Sequence, residues 1–398
     1  FFQAEDGIRD PLWSRGLGDV YKRQPLDERV NKLTVGERQR VEILKALYHD
    51  ARVLGLDEPT AVLTPQEAET LFENIGAMTE NGLSVIFISH KLREVLKFSH
   101  RIAVLRHGKL VGEMTTTDAS ERKIARMMVG TDSPVTPRAA IKAGAPILQL
   151  MGVSVKGYST RTSLNSVDLT VKAHEIIGIA GVSGNGQSAL AKMISGLISP
   201  DSGEILMHDR KVESFSPSVM QNAGVGRIPE DRHHDGVVGA MSVAENLVLE
   251  RLYDPDVQKY GFLKHKSISS HAHKLSQDYD IRGPGIEVDA RLLSGGNVQK
   301  LLIGRWLERN PNVIIACQPT RGLDEGAIAA VHSMLLNAKS DGKAILVITE
   351  DLDELLLISD KVSVMYNGSL TISKYAKELE KREIGLMMTG SKIEETNK

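Results

Sequence analysis

The sequence predicts an α/β protein built from two copies of one domain, each with a mainly parallel sheet flanked by helices. Three observations lead to this prediction. Short apolar runs alternate with helical stretches, one segment of the chain repeats another without a gap, and a glycine-rich loop follows an apolar run. Alternation of strands and helices at this spacing is typical of parallel sheets, whose strands need crossover connections.

The strands are predicted from continuous apolar runs, and the helices from the longer stretches between them. A glycine turn, at Gly82 or Gly342, precedes the second strand of each pair. The predicted strands are Val53–Leu56, Ser84–Ile88, Val313–Ala316 and Ala344–Ile348, and the predicted helices are Pro65–Met78 and Glu325–Ala338.

The repeat relates residues 33–110 to residues 293–370 at a constant offset of 293 − 33 = 260. Eighteen of the 78 aligned positions are identical, and Pro59-Thr60 meets Pro319-Thr320 in the alignment. Chance similarity between two α/β stretches is the alternative. The gapless match at the same glycines and prolines favours a duplicated domain.

The glycine-rich loop lies within residues 175–190, between an apolar strand and a helical stretch. Its glycines and serine match G-x-x-x-x-G-K-[ST] at Gly181, Gly186 and Ser188, but Gln187 stands where the pattern has lysine. Backbone N–H groups of such a loop converge on phosphate oxygens, and the helix N-terminus adds a positive dipole end. A purely structural turn is the alternative, which the position of the loop near the start of the second copy disfavours.

Acidic residues end the first strand of copy one. Asp57 can hold Mg²⁺ through water, and Glu58 can polarise a water that attacks a phosphate. An Asp-Glu pair after a strand is more often a helix cap, but copy two has Cys317 and Gln318 at these positions. Capping alone does not explain why only one copy keeps both acids.

His90 directly follows the second strand of copy one, and Glu350 is its counterpart in copy two. A histidine at a strand end is usually an ordinary surface residue. Beside a phosphate site it would instead contact the terminal phosphate of the nucleotide.

The bulk composition excludes several classes of protein. The net charge of −2 argues against a nucleic-acid partner, and a single cysteine rules out a disulfide framework. No apolar run approaches the ~18 residues of a membrane span, and no signal peptide is recognisable. We therefore expect a cytoplasmic protein that reaches a membrane only through partners.

These motifs together resemble the ATP-binding-cassette (ABC) ATPase family over roughly residues 25–390. Residues 34–39 and 294–299 resemble two signature motifs, Val53–Glu58 resembles the Walker B strand, and residues 227–232 resemble the Q-loop region with Glu230 in place of glutamine. The resemblance implies P-loop NTPase-like ABC cassettes in tandem, the first one partial, each with a helical subdomain beside its sheet.

The resemblance also implies two head-to-tail ATP sites, with Mg²⁺ held by Asp57 in one and by Ser188 in the other. Glu58 and His90 would be catalytic in the first site, and the second would bind ATP but hardly hydrolyse it. The first site would combine these residues with Ser294, Gly295, Gly296, Gln299 and Asp324, and the second would combine Gly181, Gly184, Asn185, Gly186, Gln187 and Ser188 with Thr34, Val35 and Gly36.

Within the family, a fused pair with a degenerate second half resembles importers of simple sugars and nucleosides. Such subunits act on the cytoplasmic face of the inner membrane with two permease subunits, which receive solute from an extracytoplasmic binding protein. Soluble tandem cassettes of translation or chromosome-associated factors are the alternative, but those usually keep both sites intact. A non-catalytic regulatory cassette is a third reading, which Asp57, Glu58 and His90 disfavour.

The predicted domain organisation has four parts. Residues 1–24 resemble translated sequencing-adaptor DNA, with a native surface arm as the alternative. Residues 25–130 form the C-terminal part of the first cassette, 131–146 a linker, and 147–398 the second cassette. Equal domain lengths would place the first phosphate loop about 80 residues before residue 1. We therefore expect the 398-residue chain to be an inactive fragment.

Overall fold

The computed structural model divides into two compact units, Phe1–Ser133 and Pro134–Lys398. The boundary falls within the predicted linker. The structure describes residues 41–43, 45–46, 51–60, 65–80, 82–89, 91–106, 108–129, 141–157, 163–388 and 390.

Unit 1 contains a small parallel sheet, a helix beside it and an antiparallel hairpin. Strands β1 and β2 pair in parallel, and Phe72 of helix α1 is buried against residues of both strands. Beyond them, β3 and β4 form the hairpin. The bounds are β1 Val53–Asp57, α1 Pro65–Glu80, β2 Ser84–Ile88, α2 Leu92–Phe98, β3 Arg101–Arg106, β4 Lys109–Thr115 and α3 Glu121–Val129.

Unit 2 contains two sheets and a group of helices. The bounds of its strands are β5 Pro146–Val155, β6 Leu164–Lys172, β7 Glu175–Ala180, β8 Ser202–Met207, β9 Arg210–Lys211, β10 Val225–Ile228, β11 Gln258–Lys259, β12 Phe262–Leu263, β13 Val313–Cys317, β14 Ala344–Ile348, β15 Lys361–Tyr366, β16 Ser369–Leu370 and β17 Lys374–Tyr375. Those of its helices are α4 Gln187–Ile194, α5 Pro217–Asn222, α6 Val243–Val248, α7 His265–Asp278, α8 Gly295–Glu308, α9 Glu325–Ser340, α10 Leu352–Ile358 and α11 Lys381–Met388.

The main sheet of unit 2 runs in the order β10-β13-β14-β7-β15-β16, and β17 also pairs with β15. Its five long strands are parallel, and β16 and β17 are antiparallel additions. Strands β7, β13 and β14 are buried along their whole length, as parallel strands that are covered on both faces require. The carboxyl ends of these three strands lie side by side, which brings their connecting loops together.

The mainly parallel α/β architecture is confirmed, and one layer was not predicted from the sequence. Strands β6-β5-β8-β9 form an antiparallel sheet whose buried side shares a hydrophobic core with the main sheet. The first of them begins at Pro146, the last residue of the predicted linker. Helices α6, α7 and α8 have a separate core, which matches the expected helical subdomain.

The duplication is visible in the backbone at the same offset of 260. Asp57 pairs with Ile88 where β1 meets β2, and Cys317 pairs with Ile348 where β13 meets β14. The predicted strands Ser84–Ile88 and Ala344–Ile348 are observed as predicted. The other two strands are one residue longer than predicted, and the two helices extend two residues further. No helix in the described parts of the chain is long and apolar enough to cross a membrane.

Candidate functional site

The glycine-rich loop connects the central strand β7 to helix α4. Gly184 and Gly186 have φ angles of +92° and +113°, a left-handed backbone that glycine adopts without strain. A side chain at Gly181 would also approach the carbonyl oxygen of Met365 to 2.8 Å. The backbone therefore requires glycine at both ends of the loop, and Ser188 is exposed in the first turn of α4.

The side chain of Gln187 folds back into the loop. Its Nε2 donates to the carbonyl oxygen of Val182 at 3.0 Å, and its Oε1 accepts from the backbone N–H of Asn185 at 3.1 Å. One of the N–H groups that could face a phosphate is thus already bonded to a neutral side chain. The sequence shows that lysine is missing, but not where its replacement points.

Asn185 anchors the loop to the turn after β15. Its side-chain Oδ1 accepts from the N–H of Asn367 at 3.0 Å, and its carbonyl oxygen accepts from the N–H of Gly368 at 2.8 Å. A side chain at Gly368 would approach the carbonyl oxygen of Ser163 to 2.7 Å. Sequence reasoning did not assign Asn367, Gly368 or Ser163 to the site, although Gly368 is identical to Gly108 at the repeat offset of 260.

The residues after β1 and β13 share one unusual backbone conformation. Glu58 and Gln318 both have φ of +47°, in the left-handed region that non-glycine residues rarely adopt. The N–H of Glu58 donates to Ile88 at 2.9 Å, and that of Gln318 donates to Ile348 at 2.7 Å. The two copies therefore hold position 58 and position 318 in the same turn, with an acid in one and an amide in the other.

A hydrogen bond between a threonine and a glutamate anchors each of these turns to the next helix. The hydroxyl of Thr60 donates to Glu94 at 2.6 Å, and the hydroxyl of Thr320 donates to Glu354 at 2.8 Å. Both pairs keep the offset of 260, and both threonines are buried. Sequence reasoning missed these residues, although Glu94 and Glu354 are identical in the repeat.

The ends of the two strands differ in their chemistry. Asp57 is exposed at the end of β1. Cys317 has only 7% of its surface exposed, and burial raises the pKa of its thiol to about 12. A neutral, buried thiol is a poor ligand for Mg²⁺, which prefers oxygen.

Glu350 lies two residues beyond the end of β14, the strand that pairs with β7 before the glycine-rich loop. Although its side chain is exposed in part, desolvation by the surrounding protein raises the pKa of its carboxyl group. Arg321 opposes that effect, and so does a hydrogen bond from the backbone N–H of Ser183, while Glu230 adds to it. Arg321 Nη1 also donates to Glu230 at 2.8 Å.

The second signature segment forms the start of helix α8. Ser294 precedes the helix, and its hydroxyl accepts from Asn297 Nδ2 at 2.8 Å. A side chain at Gly296 would lie 2.8 Å from Cβ of Ala327, so glycine lets α8 and α9 pack closely. Gly295 similarly faces the Arg232 guanidinium, 3.0 Å from a Cβ placed there.

Two of the predicted contact residues have structural roles within unit 2. Gln299 is 2% exposed, and its Nε2 has no hydrogen-bond partner among the described residues, so it faces the protein interior. Asp324 caps helix α9, because its Oδ1 accepts from the N–H of Ala327 at 2.8 Å. Contacts of either residue with nucleotide stay predictions.

The remaining predicted site residues lie outside the described part of the chain, namely Thr34, Val35, Gly36 and His90. Unit 2 brings together the loop 181–188, the turn at Gln318 and Glu350, since β7, β13 and β14 are neighbours. In unit 1, the described residues bring together Asp57, Glu58 and the end of β2. Across the described residues, no group of three or more His, Cys, Asp or Glu side chains could hold a metal ion.

Comparison with known sequences identifies related proteins. The sequence profile of the ABC transporter family matches residues 9–61 and 164–321. Nucleoside import ATP-binding protein NupA of Lactococcus lactis is 42% identical over 93% of this chain and 73% of its own length. Guanosine import ATP-binding protein NupO of Bacillus subtilis is 40% identical over 92% of this chain and 72% of its own length. Ribose import ATP-binding protein RbsA 1 of Rubrobacter xylanophilus is 40% identical over 91% and 72%.

Solved structures support the fold. MJ1267, an ATP-binding cassette of an ABC transporter, superposes with a TM-score of 0.51 over 62% of this chain and 96% of its own length, at 23% identity.

The match to the family profile begins at residue 9, inside the segment predicted to derive from adaptor DNA. That origin stays a prediction.

Proposed function

Because the chain belongs to the ABC transporter family, we propose that it is the ATP-hydrolysing subunit of an importer for nucleosides or simple sugars. Two of the relatives are named for import of nucleosides and one for import of ribose. The alternative of a soluble translation or chromosome-associated ATPase is not favoured by any of these names.

The observation that carries the proposal is the strand-end turn of unit 1. There Glu58 follows Asp57 directly, held at a positive φ by the hydrogen bond from its N–H to Ile88. A carboxylate fixed beyond the end of a parallel strand lies where α/β proteins bind ligands. Copy two keeps this geometry without either acid, which indicates that the acids serve chemistry and not the fold.

The proposed roles follow from the chemistry of the side chains. Glu58 would accept a hydrogen bond from the attacking water and orient it toward the terminal phosphate. Asp57, exposed at the end of β1, fits Mg²⁺ because an ionised carboxylate can hold the hydrated ion. Magnesium would supply charge neutralisation on the phosphate oxygens.

Unit 2 is proposed to bind nucleotide without hydrolysing it efficiently. Its loop offers backbone N–H groups, and Ser188 offers a hydroxyl at the start of α4. The strand end does not fit a metal-assisted reaction, because Cys317 is a buried thiol and Gln318 cannot act as a base. The predicted role of Ser188 as a magnesium ligand therefore has no carboxylate at the strand end to support it.

The proposed partners are two permease subunits, which receive solute from an extracytoplasmic binding protein. They would hold the subunit on the cytoplasmic face of the inner membrane. The support is that the relatives are named as ATP-binding proteins of import systems.

Solute uptake in a deletion strain tests the proposal. Cells that lack the gene should lose uptake of labelled guanosine or ribose, and the wild-type gene should restore it, while a Glu58→Gln gene should not. The pattern across a panel of nucleosides and sugars would name the solute. Normal uptake of the whole panel, together with co-sedimentation of the protein with ribosomes, would favour the soluble alternative.

A further inference from the structure

Strand order brings Glu350 against the glycine-rich loop. Strand β14 lies beside β7, with Ile348 level with Ile179, and the N–H of Thr349 donates to the carbonyl oxygen of Ile179 at 3.3 Å. Glu350 is two residues beyond Ile348, as Gly181 is two residues beyond Ile179. The carboxylate therefore leaves the sheet at the level where the loop begins.

A side chain of the protein already occupies one donor group of the loop. The N–H of Asn185 donates to Gln187 Oε1 at 3.1 Å. This donor belongs to the backbone that would surround phosphate oxygens. An amide thus competes with phosphate for one N–H group of the loop, and the Glu350 carboxylate adds negative charge at the level where the loop begins.

The charged groups around Glu350 would not neutralise the negative charge of a terminal phosphate placed beside it. Among the described residues, Arg321 is a cation that acts on the Glu350 carboxylate, and it is already paired with Glu230 at 2.8 Å. The end of the neighbouring strand β13 carries Cys317 and Gln318, neither of which is charged. This strand end therefore supplies no anionic ligand for a divalent cation that could screen a terminal phosphate.

We infer that the loop of unit 2 takes a nucleoside diphosphate and discriminates against the triphosphate. Glu350 occupies the position equivalent to His90, which is predicted to contact the terminal phosphate. A carboxylate there repels the third phosphate but leaves room for two. The inference rests on the proposed nucleotide binding by unit 2 and adds the ligand class.

Calorimetric titration of the 398-residue chain with ADP and with ATP, each in the presence and absence of Mg²⁺, tests the inference. Wild type should bind ADP at least tenfold more tightly than ATP. Glu350→Gln keeps the size of the side chain and removes its charge, so ATP affinity should rise at least tenfold while ADP affinity changes little.

Glu204→Gln provides a matched control, because Glu204 is an exposed carboxylate on β8 paired with Lys211. It should leave the ratio of ADP to ATP affinity unchanged, and thermal unfolding should show that both variants are folded. Equal affinities in wild type, or an unchanged ratio in Glu350→Gln, would overturn the inference. Failure of both nucleotides to bind would overturn nucleotide binding by unit 2 altogether, without touching hydrolysis at Glu58.

Discussion

The two strand-end turns of this protein share one backbone and differ in their chemistry. Residues 57–60 and residues 317–320 have the same strand register, the same positive φ and the same threonine–glutamate hydrogen bond. Only the first turn has the two carboxylates. Duplication has therefore preserved the turn through its backbone and its threonine–glutamate anchor, while the two side chains at the strand end have changed from Asp57 and Glu58 to Cys317 and Gln318.

This comparison separates residues that build the turn from residues that act in it. A positive φ on a non-glycine residue costs of order 1–3 kcal/mol, so surrounding contacts must maintain it. Those contacts are present in both copies. The strain at Gln318, where no hydrolysis is proposed, indicates that the turn is a property of the scaffold and not by itself evidence of activity.

The largest expected effect comes from removing the carboxylate in the turn of unit 1. Glu58→Gln should lower the rate of phosphate release from ATP by at least about 100-fold, because the attacking water loses its hydrogen-bond acceptor. Gln318→Ala, the matched change in unit 2, should leave most of the activity. Similar losses in the two variants would remove the functional distinction between the turns.

A second comparison concerns the buried threonines. Thr60→Val and Thr320→Val each remove a hydroxyl that donates to a carboxylate, which is part-buried in Glu94 and buried in Glu354. The loss should cost about 1–3 kcal/mol in the free energy of unfolding of the copy concerned. Hydrogen exchange at Glu58 or Gln318 should increase accordingly. Turnover, in contrast, should fall only for Thr60→Val, and Thr60→Ser should restore it. Loss of turnover in Thr320→Val would show that the second turn also contributes to hydrolysis.

Much of the fold was predictable because the relevant signals are local. Continuous apolar runs located β1, β2, β13 and β14 to within one residue, and the gapless repeat revealed the duplication. The antiparallel sheet β6-β5-β8-β9 was not predicted, since its strands are joined by contacts distant in sequence, such as Leu148 with Met207. Pattern alone could not pair these strands.

The residue types of the site were predictable from the sequence, because the chemistry demands them. The hydrogen-bond partners of these residues were less predictable. The substitution of Gln187 for lysine is evident in the sequence, but its hydrogen bonds to Val182 and Asn185 depend on the path of the loop. Likewise, Asp324 is predicted to belong to the first ATP site, yet its side chain caps α9 within its own unit. Orientation follows from tertiary packing, which a single sequence does not encode locally.

Replacing Gln187 should restore part of the phosphate contact in unit 2. Gln187→Lys adds a positive charge and removes the acceptor that occupies the N–H of Asn185, so ADP affinity should rise about tenfold, or about 1.4 kcal/mol. Gln187→Ala separates the two causes, because it frees the N–H without adding charge. Calorimetry that finds unchanged or weaker binding of Gln187→Lys would mean that position 187 does not face the phosphates.

The smallest expected effect is a pH-dependent change in stability at Glu350. Its pKa is raised in the folded protein above the ordinary value of 4.5, mainly by desolvation. Above the folded pKa the group is ionised in both states, and the folded state carries the unfavourable charge. Glu350→Gln should therefore raise the melting temperature at pH 7. As the pH falls through the folded pKa and below 4.5, both states become protonated and this gain in stability should disappear.

Calorimetric scans of wild type and Glu350→Gln from pH 4 to pH 8 measure the difference in melting temperature directly. A variant that is less stable than wild type at pH 7 would show that the favourable interactions with Arg321 and Ser183 outweigh the desolvation of the carboxylate, and that the second copy has adapted to hold this charge.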